Sequence, residues 1–133
     1  GIGIAERKWV FGSLWFDTRD GVTLIWSEEL KYWVRVDPAT VGQYTGLKDE
    51  HGKEIYEGDV IRSPLSEDKT RPHRIFYHTG NAAFMGALVD RKELCYSRLD
   101  QDWIYKFGKE VIGNIHDNPE LIEKQTAERH KTN

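Results

Sequence analysis

Residues 43–61 read Gln-Tyr-Thr-Gly-Leu-Lys-Asp-Glu-His-Gly-Lys-Glu-Ile-Tyr-Glu-Gly-Asp-Val-Ile, with glycines spaced six residues apart. The run Asp-Glu-His-Gly at 49–52 is typical of a type I turn closed by a left-handed glycine, the connection of a short β-hairpin. A second turn at 57–59 leads the chain into a further apolar segment. The stretch therefore predicts short strands in a register set by glycine-containing turns.

The residues before this stretch predict an aromatic hairpin and a third strand. Residues 8–16 are rich in aromatic and β-branched side chains on both parities, which is typical of a strand covered on both faces. Asp20-Gly21 is a strong hairpin signal, and residues 22–26 return as the partner strand. Alternation over residues 32–36 predicts a strand, although Ser27 could instead cap a helical turn at its start.

The residues after the stretch predict one more hairpin, shorter strands and a terminal helix. Residues 63–72 are polar, hold two prolines and predict a variable loop. Asn118 and Pro119 are typical of a helix start, and the polar tail at 124–133 is expected to fray. The predicted strands in this part of the chain are 73–78, 82–89, 95–99, 103–107 and 110–116.

These candidates amount to about eight short strands, with turn signals at the spacing of all-β domains. We therefore predict a mainly β fold, or an α+β fold, of mostly antiparallel strands. The strands are expected to form a bent sheet or a partly open barrel, because short hairpins leave edges that need cover. A short C-terminal helix completes the predicted fold. No composition shift marks a boundary, so residues 1–133 are predicted to form a single domain.

Composition and charge exclude several classes of protein. The chain has 133 residues, one cysteine and a net charge of −3 from 19 basic and 22 acidic side chains. One cysteine cannot form an internal disulfide, which excludes a disulfide scaffold and favours a reducing compartment such as the cytoplasm. The negative charge gives no general support to nucleic-acid binding. No apolar run approaches the roughly 18 residues of a membrane span and no secretory signal is visible, so we expect no membrane association.

No pattern of residues predicts a catalytic centre. The carboxylates Glu54, Glu57 and Asp59 cluster near a turn, but no histidine or arginine is tied to them by spacing, so solvated turn residues are the favoured interpretation. The apolar neighbours of Cys95 favour a small buried side chain over a reactive thiol. The five histidines are too dispersed to converge on a metal, and the glycines match no phosphate-binding loop. We predict no metal and no cofactor.

Aromatic side chains are the most suggestive material for binding. The chain holds five tryptophans and six tyrosines, most of which are expected in the core. A minority exposed on a sheet could stack nucleic-acid bases beside the basic residues Arg62, Lys69, Arg71 and Arg74. Exposed aromatic and arginine side chains are equally typical of protein interfaces, including those between copies of one chain. Because the net charge is negative, protein binding or self-association is favoured over nucleic-acid binding.

Two segments of the chain resemble the YopX family of bacteriophage and prophage proteins. The first is the stretch 43–61, and the second is 111–121, Val-Ile-Gly-Asn-Ile-His-Asp-Asn-Pro-Glu-Leu, which resembles the closing segment of that family in the right order and distance. The opening hairpin matches more loosely, because residues 8–12 depart from the Lys/Arg-Phe-Arg-Ala-Trp-like strand of many members. Residues 63–101 match poorly, yet the resemblance spans most of the chain.

The resemblance implies a small, β-rich, phage-encoded accessory protein that acts in the bacterial cytoplasm, with no established activity and no catalytic residues to carry over. We interpret the first segment as a structural motif that anchors loops to the core and satisfies turn donors. Its residues are Gln43, Tyr44, Thr45, Gly46, Leu47, Gly52, Ile55, Tyr56, Glu57, Gly58 and Asp59. The predicted function is non-enzymatic protein binding or self-association with a phage or host protein. A nucleic-acid-binding small β-barrel and a small enzyme are the alternatives.

Overall fold

The structure is a computed structural model that describes residues 1–17, 19–63, 72–89 and 96–121. The chain forms two compact units, residues 1–42 and residues 43–133. Each unit has its own antiparallel sheet and its own buried apolar cluster. Most of the predicted loop at 63–72 and all of the predicted frayed tail at 124–133 lie outside the described residues, as do Lys69, Arg71 and Cys95. The single domain stays a prediction.

The N-terminal unit is a three-stranded sheet in the order β1-β2-β3. Its strands are β1 (Gly12–Asp17), β2 (Val22–Ser27) and β3 (Tyr32–Arg35). The predicted hairpin between β1 and β2 is confirmed: Gly21 has a φ of 66° and its N–H donates to the Asp17 carbonyl at 2.9 Å. Ser27 closes the turn before β3, where its Oγ accepts from the N–H of Leu30 at 2.9 Å.

One face of this sheet carries the core of the unit. Ile25 and Val36 are buried there, together with Val10 from the segment that precedes β1. Gly3 bridges Val36, so the N-terminal residues run beside the end of β3. Residues directly opposite one another on paired strands point to the same face of the sheet, and successive residues of one strand point to opposite faces. The residues next to those on the core face therefore point to the other side of the sheet.

The C-terminal unit holds a five-stranded sheet in the order β10-β6-β7-β8-β9 and a separate hairpin of β4 and β5. The helix α1 (Gln101–Lys106) lies between β9 and β10 in the chain. The core of this unit consists of Ile55, Ile61, Ile75, Leu99 and Ile104. Its strands are β4 (Tyr44–Lys48), β5 (Glu54–Tyr56), β6 (Asp59–Arg62), β7 (His73–His78), β8 (Ala83–Leu88), β9 (Tyr96–Arg98) and β10 (Glu110–Asn114).

The prediction of a mainly β fold is confirmed. The described residues contain ten strands, somewhat more than the sequence suggested, and every pairing between them is antiparallel. Within that part of the chain, none of the three sheets closes into a barrel. No helix of the described residues is long and apolar enough to cross a bilayer.

The strand predicted at 103–107 is wrong, because Gln101–Lys106 forms the helix α1. Asp100 precedes this helix, and its Oδ1 accepts from the N–H of Trp103 at 2.7 Å. Such a cap satisfies a donor that the first helical turn leaves open. The predicted strands 95–99 and 103–107 leave residues 100–102 as the connection between them, whereas Asp100 is the cap of a helix.

The start of the predicted C-terminal helix is present at residues 120–121, and the remainder lies outside the described residues. Asn118 does not cap this helix in the expected way. Its Oδ1 accepts from the N–H of Asn114 at 3.2 Å, and its carbonyl accepts from the N–H of Leu121 at 3.1 Å. The side chain therefore closes the turn that follows β10.

Candidate interaction surface

Strand β1 leaves five of its six residues exposed to solvent. Leu14 is 55% exposed, and Trp15 and Phe16 are each 58% exposed. Successive side chains of a strand point to opposite faces, so β1 presents apolar surface on both faces of its sheet. Among the described strands β1 pairs only with β2, which leaves its other edge open. We call Leu14, Trp15 and Phe16 together with this open backbone edge the β1 surface.

The sequence predicts that residues 8–16 form a strand that is buried on both faces. The strand is confirmed in part, and the burial of both faces is wrong. β1 covers residues 12–17, so the second half of the predicted strand is confirmed and residues 8–11 precede it, and the apolar side chains of β1 are exposed instead of covered on both faces. Apolar residues on both parities identify a strand with two apolar faces. They do not tell whether the cover comes from the same chain or from a partner, and exposed apolar patches are typical of partner sites.

The face of the N-terminal sheet opposite its core adjoins the β1 surface. Trp26 of β2 lies opposite Trp33 of β3, with ring centroids 5.5 Å apart in an edge-to-face arrangement. Trp33 is 46% exposed. By register, Trp15 lies opposite Leu24 on this same face. Three tryptophans therefore share one side of a three-stranded sheet.

A cleft of about 550 Å³ opens in the same unit. Its walls come from the N-terminal residues, the turn before β3 and β3 itself, and they include Glu6, Trp9, Glu29, Leu30 and Trp33. Its lining carries aromatic, acidic and basic side chains but no histidine and no cysteine. Aromatic and charged side chains in one lining are typical of a binding cleft.

The predicted structural motif forms the β4–β5 hairpin and the turn into β6. The Gln43 carbonyl accepts from the N–H of Glu57 at 2.9 Å and closes the base of the hairpin. Thr45 Oγ1 donates to the Ile55 carbonyl at 2.8 Å. Ile55 is fully buried, and Leu47 packs against the same core cluster. These contacts hold the hairpin on the core.

Turn geometry and ring packing complete the motif. Gly46, Gly52 and Gly58 have φ values of 83°, 82° and 93°, a region that side chains disfavour. The Gly52 N–H donates to the Asp49 carbonyl at 3.0 Å, as expected for the predicted hairpin turn. The motif's two tyrosine rings, Tyr44 and Tyr56, lie 5.4 Å apart across β4 and β5.

Asp49 lies in the turn between β4 and β5, within the first resemblance segment, and is only 2% exposed. Its Oδ1 accepts from the N–H groups of His51 at 2.8 Å and Lys53 at 2.9 Å, which satisfies the turn donors as predicted. Its Oδ2 accepts from the N–H of Val111 at 3.0 Å. This last bond joins the hairpin turn to β10, and no spacing in the sequence signals it.

Further contacts join the first resemblance segment to the second segment and to the two residues that precede it. The N–H of Glu50 donates to the Lys109 carbonyl at 3.0 Å, and His51 Nε2 lies 3.1 Å from Glu110 Oε2. The N–H of Ile115 donates to the carbonyl of a motif glycine, Gly58, at 2.9 Å. The two segments are far apart in the chain but adjacent in the fold, so together they form one structural unit.

The three carboxylates of the motif accept hydrogen bonds within the hairpin and the turn that follows it. Glu54 Oε2 accepts from the Tyr56 hydroxyl at 2.6 Å, and Asp59 Oδ2 accepts from the Tyr56 N–H at 2.8 Å. Glu57 Oε1 accepts from the N–H of Gln43 at 3.4 Å. Among the described residues, no three histidine, cysteine, aspartate or glutamate side chains gather where they could hold a metal ion.

Burial sets the protonation of this cluster. Desolvation raises the pKa of Asp59 to about 6, and the hydrogen bond from the Tyr56 N–H opposes that rise only in part. Burial, followed by the hydrogen bond to Glu54, raises the pKa of Tyr56. Asp59 is therefore the residue of the motif whose charge changes in the mildly acidic range.

Of the four basic residues predicted to contact a partner, the structure describes Arg62 and Arg74. Arg62 is exposed at the end of β6 and Arg74 is half-buried on β7. The Arg74 guanidinium lies 5.5 Å from the centroid of the Phe76 ring. Val60 lies opposite Arg74 in the β6–β7 pairing, so Arg62, two residues further along, shares its face.

A third arginine on this face was missed by sequence reasoning. Arg98 of β9 lies opposite Met85 of β8, which in turn lies opposite Phe76 of β7. From a strand spacing of about 4.8 Å and a rise of about 3.4 Å per residue, the backbones of Arg62 and Arg74 are about 8 Å apart, and those of Arg74 and Arg98 about 12 Å. We call these three residues the arginine stripe.

Comparison with known proteins identifies the family of the chain. The family model described as YopX protein matches residues 7–123. The chain belongs to the YopX family. The crystal structure of protein EF1440 from Enterococcus faecalis is similar to this YopX-family chain, with a TM-score of 0.50 and 27% identity over 83% of this chain and 85% of that chain. A search of the curated proteins finds no match.

Proposed function

We propose that this YopX-family protein is a non-enzymatic binding module that docks a protein partner on its β1 surface. One observation carries the proposal: β1 is an edge strand with apolar side chains more than half exposed on both of its faces. Monomeric proteins rarely leave such a strand uncovered, because it favours unspecific association. A partner strand would satisfy the open backbone edge and cover the aromatic side chains.

The chemistry of the β1 surface favours a protein over other ligands. Aromatic side chains are enriched at the centres of protein interfaces, where they contribute most of the binding energy. Strand addition to an open edge gives affinity through backbone hydrogen bonds and specificity through alternate side chains. The motif and its contacts with β10 belong to the other unit, where we interpret them as architecture.

The biological setting is also part of the proposal. The family resemblance supports a phage-encoded accessory protein that binds a phage or host protein in the cytoplasm of an infected bacterium. A single cysteine among 133 residues agrees with a reducing compartment.

Site-specific photo-crosslinking in infected or induced bacterial cells tests the proposed function. A photoreactive phenylalanine analogue at position 16 is expected to give discrete protein adducts. The same analogue at Tyr105, which is 56% exposed on α1, serves as the matched control and is expected to give none of these adducts. Identical adduct patterns at both positions, or no adduct at position 16, would reject the β1 surface as a docking site.

A second candidate function, nucleic-acid binding, is favoured by the arginine stripe. The backbone positions of its three arginines follow a diagonal across four strands, with the Arg74 guanidinium beside the Phe76 ring, and long arginine side chains at this spacing can reach phosphates of a single strand. The described residues contain no ion pair with Arg62, Arg74 or Arg98. The net charge of −3 weighs against this candidate, which is why it ranks second.

Fluorescence anisotropy with a short labelled oligothymidylate and an oligouridylate tests this candidate across a series of salt concentrations. Binding through the stripe is expected to weaken steeply with salt and to fall at least about tenfold in an Arg74→Ala, Arg98→Ala double variant. Arg35→Ala is the control, since Arg35 is an exposed arginine in the other unit. Absence of salt-dependent binding would eliminate the candidate.

A further inference from the structure

We infer that a second copy of this chain occupies the β1 surface, by antiparallel pairing of β1 with β1 about a two-fold axis perpendicular to the sheet. The inference rests on the proposed function, because it names the partner of the same surface. Two three-stranded sheets would then join edge to edge into one continuous sheet, with β3 of each copy on its far side. A two-fold interface of this kind uses the same patch on both copies.

The sequence of β1 lacks the features that normally protect an edge strand. Its six residues are Gly-Ser-Leu-Trp-Phe-Asp, with no proline, no lysine and no charged side chain before Asp17. Proteins that must stay monomeric commonly place such residues on an edge, or cover it. β1 instead offers a regular antiparallel ladder, since it pairs with β2 over all six residues without a bulge.

The two-fold symmetry restricts the register of the pairing. A two-fold axis perpendicular to the sheet brings the same face of both copies to the same side of the joined sheet. Residues directly opposite one another across the interface must therefore be both even-numbered or both odd-numbered. The register centred on Trp15 places Leu14 of one copy opposite Phe16 of the other, and Ser13 opposite Asp17. The register centred on Leu14 would set a glycine opposite Phe16. The first register covers more apolar surface and pairs a hydroxyl with a carboxylate, so it is the one we infer.

The area available agrees with a dimer of moderate affinity. Leu14, Trp15 and Phe16 are each a little more than half exposed, which leaves on the order of 100 Å² of accessible surface per side chain. With the backbone edge and the polar side chains of the strand, pairing would bury about 500 Å² on each copy. The total of about 1,000 Å² reaches the lower range of specific interfaces, where micromolar dissociation constants are expected.

Sedimentation equilibrium of the full chain over a micromolar concentration series tests the inference. The wild-type protein is expected to show a monomer–dimer equilibrium. Leu14→Lys places a charge on the edge and is expected to weaken dimerisation at least tenfold. Tyr105→Lys changes a side chain of similar exposure, 56%, on α1 and is expected to leave the dimer unchanged. Circular dichroism confirms that each variant is folded.

Disulfide cross-linking tests the register. In a Cys95→Ser background, the double variant Ser13→Cys, Asp17→Cys is expected to form an intermolecular disulfide under mild oxidation, because the two positions face one another in the inferred register. Ser13→Cys alone is the control and is expected not to cross-link, since its two copies would lie four residues out of register along the strand. Equal cross-linking of the single and double variants would overturn the register.

The outcomes separate this inference from the proposed function. A wild-type protein that stays monomeric at the highest concentration, or a dimer unaffected by Leu14→Lys, overturns the second copy as the occupant. If the photo-crosslinker at position 16 then captures a different protein, the proposed function stands without the inference. If the photo-crosslinker at position 16 captures no protein, both the proposed function and the inference of a second copy are rejected.

Discussion

At the scale of single residues, the carboxylate of Asp49 explains why two distant segments belong to one structural unit. It is 2% exposed and accepts hydrogen bonds from the N–H groups of His51, Lys53 and Val111. Both oxygens are therefore occupied by donors. The residue at this position must supply a buried acceptor for three N–H donors, because each donor left without a partner lowers the stability of the fold.

Asp49→Asn is expected to destabilise the protein by about 2–4 kcal/mol, although the two side chains have nearly the same shape. One carboxylate oxygen becomes an NH₂ group that points at a backbone donor, either Val111 N–H or the pair in the turn. Denaturant unfolding measures the change. Asp37→Asn is the control, since the Asp37 carboxylate accepts from Ala39 N–H and the bonds from Thr40 go to the backbone carbonyl, so this variant should change stability by less than about 1 kcal/mol. Equal effects of the two variants would contradict this role.

Asp59 gives the motif a pH dependence of defined sign. Burial raises its pKa from 3.8 to about 6, so the folded state binds the proton more tightly than the unfolded state does. Its contribution to stability is complete below about pH 4 and is lost as the pH rises through about 6. Asp59→Asn is expected to remove this loss, because it keeps an acceptor for the Tyr56 N–H and carries no charge.

The measurement is the free energy of unfolding of the wild type and Asp59→Asn from pH 4 to pH 7. The difference in favour of the variant should grow up to about pH 6.5 and then level off at roughly 1 kcal/mol, less than the full shift would give because the carboxyl is partly exposed. A difference that is constant with pH would exclude a raised pKa at Asp59.

At the scale of elements, Gly12 decides whether β1 can pair with β2. Its φ is 150°, and a Cβ at this position would overlap the carbonyl oxygen of Trp26. Gly12→Ala is therefore expected to destabilise the N-terminal sheet by at least about 2 kcal/mol. Gly21→Ala is the control, since its φ of 66° costs strain but nothing lies within 4 Å of an added Cβ. The loss there should be about 1 kcal/mol.

Thermal unfolding of the two variants, followed by tryptophan fluorescence, checks this difference. Four of the five tryptophans belong to the N-terminal unit, so the signal reports mainly on its sheet. A Gly12→Ala protein as stable as Gly21→Ala would show that the close approach of β1 and β2 at this point is not required.

At the scale of the whole molecule, the two units differ in the size of their buried cores. The N-terminal unit buries Val10, Ile25 and Val36 in one cluster, whereas the C-terminal unit buries five residues in its own. Small cores provide little stability, because burial must offset the conformational entropy of the whole unit. We expect the N-terminal unit to be the less stable of the two.

Native-state amide hydrogen exchange tests this expectation. The amide of Ile25 should exchange with a lower opening free energy than the amides of Ile61 and Ile75. Equal opening free energies in both units would contradict it, and would agree instead with the single domain that the sequence predicts. The measurement therefore also tests the domain organisation.

Much of the fold follows from local patterns. The Asp-Gly hairpin, the glycine-closed turn at 49–52 and the strand periodicity of β7 and β8 were predictable because turns and strand alternation depend on residues close in the chain. The helix α1 was not predicted, because four apolar or aromatic residues within the run 103–107 fit either a strand or a helix until a cap is recognised.

The sequence by itself determined the antiparallel β class, the places of the main turns and the membership of the YopX family, since these depend on local backbone chemistry and on long contiguous motifs. Only the tertiary structure decided which face of each strand is covered, that Asp49 reaches Val111, and that Arg98 joins Arg62 and Arg74. The physical reason is that exposure and long-range hydrogen bonds depend on which strands become neighbours. That order is chosen by the burial of the whole chain, and no short window of residues contains it.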